Sequence, residues 1–488
     1  MLSEYRERFS EFHTEWQREE FLWRSGERSR DARSRLWSEH SDLFSIARIE
    51  ELRAAREAIS EFRETERRGI DLLIAFAMEG NLRVWEREIV CEIEEDEAAA
   101  RVDWEGGKIG LAAVEEVLAV ESDAGKRNDL FARCAEAAAR GDELRHAYWN
   151  RRREGTGKLG YGDPVAMHRE TRRIDLKALQ PEAERILART ESGYVAGLAA
   201  LLPQEVDRSI DDATEADLPR LRHFPRFDRH LPPERMPEVY RELFAALGFQ
   251  TGSQANVEVD AATRPAKQLR AFCAPIRVPE EIKLAYCLVG GQANYGEFLH
   301  QAGRAQHAAW TSRNLHPEFR RGGDPAVGAA WGLLFESLLL DATWLTATFG
   351  FVDSDAFRRA LGLFRWMDLR RDAARLLHEI DFHTAGAPPE LYRERMTDAV
   401  RVRFGFSGHF RDLDPGFSSA NRLRARAFES QFREHLKLRF GSRWWASPRA
   451  GETLIDLWNT GQRHSIEELA RMTGLGDLDF DWLISSPA

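Results

Sequence analysis

Between Tyr295 and Arg313, apolar side chains recur at three- and four-residue intervals. Tyr295, Phe298, Leu299, Ala302, Ala305 and Ala309 form one stripe of a helix. A stripe of that width has to be buried, so the segment predicts a core helix over 295–313 that the rest of the chain must cover. His300, Arg304 and His307 stand at i, i+4 and i+7 and share a second face, which looks into a cleft once the first is packed. With Gln301 they follow the outline of H-E-x-x-H, in which two histidines one turn apart hold zinc and the glutamate takes a proton from metal-bound water. Here the glutamate position is Gln301 and the second histidine position is Arg304. A carboxamide cannot take that proton, and a guanidinium is a permanent cation that cannot ligate another cation. His300 and His307 lie two turns apart, about 10 Å along the axis, too far to chelate one ion.

The texture on either side of this helix differs. Residues 1–247 read as an N-terminal helical half. Glu50–Arg67 and Lys126–Arg153 are rich in Ala, Leu, Glu and Arg at helical spacing, punctuated by Gly106-Gly107 and Asp163-Pro164. Gly155-Thr156-Gly157-Lys158-Leu159-Gly160 has Arg152 and Leu159 where a phosphate-binding P-loop needs Gly and Ser or Thr, so it predicts a helix–helix connection. From Gly248 onward, Asn256–Asp260, Phe272–Val278 and Ile282–Val289 predict two or three strands before Gly290-Gly291 breaks the chain. Helices resume after Asp324 and run to Ile466–Thr473 and a short tail. The expected organisation is thus mainly α, with a small sheet in a second half, 248–488.

Composition narrows the function classes. A chain of 488 residues, 43% hydrophobic and 31% charged, can bury a substantial core and is expected to be soluble. A net charge of −11 argues against nucleic acid as a partner, because that role needs a basic footprint. Leu333–Leu340, with Glu336 inside it, is too short and interrupted to span a membrane. The start of the sequence is charged and carries no signal-peptide pattern, and Cys91, Cys134, Cys273 and Cys287 are scattered. A cytoplasmic location without disulfides is expected. His378-Glu379 followed by His383 has a spacing of i+5, which puts the two rings on different faces and reads as an ordinary amphipathic helix end. Trp444-Trp445 is expected in the core, and no G-x-S-x-G nucleophile elbow is present.

Four stretches carry a resemblance. They are Arg270–Pro279, Phe298–His307, Ala329–Glu336 and the C-terminal run from Phe440-Gly441 through Trp444-Trp445 and Ala450-Gly451 to Leu457-Trp458. Together they resemble the thimet oligopeptidase and oligoendopeptidase family of zinc metallopeptidases, specifically over Gln254–Leu483. The resemblance implies a prolate, mainly helical fold with a small sheet lining a deep central cleft, and an edge strand of that sheet that pairs with an extended peptide. It also exposes departures. The family's general base aligns with Gln301, its second zinc ligand with Arg304, and its third with Gly328 or Ala329. The nearest acid on that downstream helix is Glu336, about two turns further along. The loop Asp414–Arg422 lacks the His and Tyr that hold the oxyanion in the family, and no tyrosine follows Tyr392. Arg304 is expected to pair with Glu336, or with Glu297, and to fill the space of the metal.

The expectation is a pseudopeptidase with no cofactor and no metal. The catalytic positions His300, Gln301, Arg304 and Ala329 are degenerate, because base, ligands and oxyanion donors are lost together. Its partner is expected to be a peptide or protein, held in a cleft lined by His300, Gln301, Arg304, His307 and Glu336. Zinc enters only under the alternative, an active oligopeptidase with substitute ligands such as His307 and Glu336. A metal-free enzyme reusing the cleft is the third reading.

Overall fold

The structure, a computed structural model, describes residues 2–250, 252 and 254–485. Of the expected second half, residues 251, 253 and 486–488 lie outside the described residues, as does residue 1. The fold is mainly helical, with two small sheets among the described residues. The chain packs as two compact units, each assembled from separated segments.

One unit is built principally from Trp85–Pro225 and Arg359–Leu423. Gly106-Gly107, a chain breaker in the sequence, closes a hairpin there between β1 (Arg101–Trp104) and β2 (Gly107–Gly110). Glu105 and Gly106 both take positive φ, 47° and 83°, which is the two-residue turn whose twist matches its strands. Buried Val102 anchors the hairpin on Val114, Leu118 and Leu130. The Gly155–Gly160 stretch is not the connection its composition predicts. The helix Asp142–Lys158 runs through it, because Gly155 and Thr156 face inward and the Thr156 hydroxyl donates to the Arg152 carbonyl at 2.8 Å. The turn comes only at Gly160, φ 93°. His378, Glu379 and His383, expected at an ordinary amphipathic helix end, are all buried on the helix Asp355–Ala385. Glu379 accepts from the Asp414 backbone N–H at 3.0 Å and from the Ser419 hydroxyl, tying down the start of the helix Ser418–Phe440 and the turn before it.

The other unit comprises Met1–Val84, Arg226–Arg358 and Arg424–Leu483. Its sheet has the order β3 (Val257–Asp260), β5 (Glu281–Ala285), β4 (Phe272–Arg277), with β3 parallel and β4 antiparallel to β5. Along β4, Phe272, Ala274 and Ile276 pack with Phe21 of the helix Leu2–Arg24, and Cys273 and Pro275 face the other way. Pro275 has no N–H to donate, which an edge strand tolerates.

The core helix spans Gly291–Trp310, starting before and ending short of its expected bounds. Gly290 and Gly291 turn the chain at φ 79° and 73°. The Asn294 side chain accepts from the N–H groups of Val289 and Gly290, so the first turn is closed from within. The last expected strand correspondingly ends at Ala285.

This helix lies against a second, Pro325–Glu336. The crossing is close because glycines sit at the contact. A methyl group on Gly303 would meet the Trp331 carbonyl oxygen at 2.4 Å, and one on Gly332 would meet the His300 ring at 2.6 Å. Asp324 caps the second helix, accepting from Ala326 N–H at 3.0 Å, and is itself gripped by both Nη atoms of buried Arg424. Arg424 also binds Glu467. Trp331, Trp344, Trp444 and Trp458 are fully buried, which accounts for them as packing residues.

Candidate functional site

A cavity of about 450 Å³ opens where the helix Gly291–Trp310, strand β4 and the helix Leu2–Arg24 meet. Phe12, Trp16, Glu20 and Arg24 recur every fourth residue on the N-terminal helix and supply one wall. Trp37, Phe76 and Phe272 extend its aromatic surface. Gln301, Arg304 and His307 supply the opposite wall, with Arg320, Arg321 and Gly328 completing it.

Three expected site residues therefore line the cavity and three do not. His300 packs over Gly332, and its Nδ1 lies 2.9 Å from an oxygen of Glu336. Neither His300 nor Glu336 is among the cavity-lining residues, and Ala329 is not either. Gly328, the other candidate for the third ligand position, does line it, and a methyl group there would meet nothing within 4 Å. The antiparallel crossing explains this. It sets Gly296 against Glu336 and His300 against Gly332, and one further turn brings Gly328 to the level of Arg304.

The expected partner of Arg304 is corrected by the same geometry. Glu336 is engaged by His300, and Glu297 faces Arg270 at 3.6 Å. Arg304 is exposed to the cavity and donates one hydrogen bond, from Nη1 to Gln301 Oε1 at 3.2 Å. Because it is not buried, it needs no internal carboxylate.

Gln301 Oε1 also accepts from the Cys273 backbone N–H on the outer edge of β4, at 3.2 Å. Further along that edge, Arg321 donates to the carbonyls of Pro275 and Ile276, and Arg320 to that of Val278. The Cys273 N–H and the Pro275 carbonyl, which an extended peptide could otherwise pair with, are thus taken by side chains. Burial pushes the Cys273 thiol up to about 12, so it is a neutral wall. His307 is likewise neutral. Burial lowers it to about 4, and its Nε2 lies 3.2 Å from the Gly461 carbonyl, a geometry in which that nitrogen donates. Burial lowers the Arg24 guanidinium, opposed by Glu20, with the charge of Arg304 adding to the decrease.

Gln301, Arg304 and Gly328 line one wall of the cavity, and an amide, a guanidinium and a glycine are not zinc ligands. Among the described residues, no group of three or more His, Cys, Asp or Glu is placed to hold a metal ion. No single described helix is long and apolar enough to cross a membrane.

Sequence reading missed the contribution of the N-terminal helix, although the four-residue recurrence of Phe12, Trp16, Glu20 and Arg24 was a usable signal. Nothing local marked Arg320 and Arg321 as cavity residues.

Solved structures share this fold. One assigned the name oligoendopeptidase F superposes with a TM-score of 0.66 at 16% identity, covering 90% of this chain and 83% of its own. PZ peptidase A with an inhibitor gives 0.64 at 14%, covering 90% and 84%. A protein of Bacillus anthracis str. Ames, also assigned as an oligoendopeptidase F, gives 0.60 at 13%, covering 93% and 81%. The likeness is one of fold. No protein-family model and no curated protein matches the sequence.

Proposed function

We propose that this chain is a catalytically silent protein of oligopeptidase fold that binds a peptide, or a peptide segment of a protein, without cleaving it. The observation that carries the reading is the arrangement of Gln301. Where a general base would stand, its amide oxygen is held between the Cys273 N–H and Arg304. A group in that state takes no proton, and the cation beside it repels a divalent ion. Arg304 and Gly328 remove further donors from the same wall of the cavity. Base, ligands and metal work as one unit in this chemistry, so their joint replacement removes the greater part of the rate.

The test is metal analysis of the purified full-length protein together with incubation with short peptides. The expected result is substoichiometric zinc and no cleavage, with or without added zinc. Stoichiometric zinc with chelator-sensitive cleavage would sink the proposal.

A further inference from the structure

Resting on that reading, we propose that the cavity recognises a carboxylate carried on an apolar body, with the Arg304 guanidinium and the Gln301 amide N–H₂ as the groups that bind it. The lining holds four arginines, Arg24, Arg304, Arg320 and Arg321, against the single carboxylate of Glu20. That balance attracts an anion.

The four cations are not equivalent. Arg24 is engaged by Glu20 and by Gln268 Oε1. Arg321 spends Nη donors on two carbonyls of β4, and Arg320 spends one on the carbonyl of Val278 just after it. Arg304 has given up one of its five N–H donors, to Gln301. Among the described residues no carboxylate lies within ion-pair distance of Arg304. One open guanidinium fork matches one carboxylate, which it can hold through two parallel hydrogen bonds.

Gln301 completes the recognition. Its Oε1 is fixed by two donors, so the Nε2 end is the one left for a ligand. A glutamate at this position would repel a bound carboxylate, and the amide donates to it instead. The remaining wall is aromatic, with Phe12, Trp16, Trp37, Phe76 and Phe272, and the volume of about 450 Å³ has room for an aromatic amino-acid residue. Such a ligand is either the C-terminal residue of a peptide or a free aryl-alkyl carboxylic acid, and the two share the same chemistry.

Titration calorimetry on the full-length protein separates these cases, using Ala-Ala-Phe, its C-terminal amide, 3-phenylpropionate and inorganic phosphate as probes. The expected result is that both free acids bind and that amidation weakens the peptide about tenfold or more. Arg304→Gln and Gln301→Glu should each weaken the acids comparably and leave the amide unchanged. Gly328→Glu, which projects a carboxylate into open space opposite Arg304, should block the acids as an internal competitor. Equal affinity for acid and amide overturns this inference and leaves peptide binding standing. Binding of 3-phenylpropionate with neither peptide bound overturns peptide binding and leaves this inference standing. Phosphate competing as well as 3-phenylpropionate overturns the apolar-carboxylate assignment, and binding of none of the probes overturns both proposals. Thermal unfolding of each variant verifies that it is folded, and cavity-exposed Arg304 is replaceable without disturbing the core.

Discussion

Glu336 accepts from His300 Nδ1 at 2.9 Å, and Arg304, one turn further along the helix of His300, is left without a carboxylate among the described residues. Removing the Glu336 charge therefore acts on the helix crossing and not on the cavity. Both side chains are partly solvated, 22% and 39% exposed, so Glu336→Gln should cost no more than about 1 kcal/mol. A double-mutant cycle with His300→Ala should show coupling of about 0.5 kcal/mol or more, and one with Arg304→Ala none beyond error. Denaturant unfolding supplies the values, and strong coupling to Arg304 would contradict the pairing.

The contact glycine Gly303 and the cavity glycine Gly328 should respond in opposite directions. Gly303→Ala drives a methyl group into the Trp331 backbone and should destabilise by about 1–3 kcal/mol. Gly328→Ala meets nothing and removes backbone freedom from a helix, so it should be neutral or stabilising by about 0.5–1 kcal/mol. Thermal unfolding of the pair is the measurement, and a destabilised Gly328→Ala would contradict the open geometry.

The cap of the helix Pro325–Glu336 depends on a buried charge pair. Asp324 is held below the usual carboxylate range, against its burial, by the charge and hydrogen bonds of Arg424. Arg424→Met strands that carboxylate among buried groups and should cost about 3–5 kcal/mol. Arg8→Met, which breaks a solvated pair with Asp42, should cost under about 1 kcal/mol. Comparable losses in the two variants would contradict the burial argument.

Buried titratable groups in the unit containing Trp85–Pro225 set a pH dependence. Burial lowers His378 and His409 to about 4 and His383 to about 3. Between those values and the ordinary histidine pKa, the unfolded chain binds more protons, so stability falls as pH drops below about 6.5. Burial raises Glu379 to about 8 and Glu215 to about 7, where the folded chain holds the extra proton. Their stabilisation is full below the ordinary carboxylate value and is lost as pH rises through 7 and 8. The three histidines outweigh the two carboxyls on the acid side, so the midpoint of thermal unfolding should peak near about pH 6.5. Glu379→Gln should flatten the alkaline limb and His383→Asn the acid limb. A profile indifferent to both substitutions would contradict the assignment.

What the sequence by itself determined is local. The apolar stripe from Tyr295 to Ala309 determined a core helix, and the chemistry of Gln301 and Arg304 determined what those positions can and cannot do, because periodicity and side-chain chemistry belong to each residue. The tertiary structure decided which residues meet. It placed Glu336 on His300 rather than on Arg304, and turned Gly328 rather than Ala329 toward the cavity. It also brought the N-terminal helix, some 280 residues earlier in the chain, to the opposite wall. The first two outcomes follow from the register of two helices drawn together at Gly303 and Gly332, and all three join distant segments through packing, which no local pattern encodes.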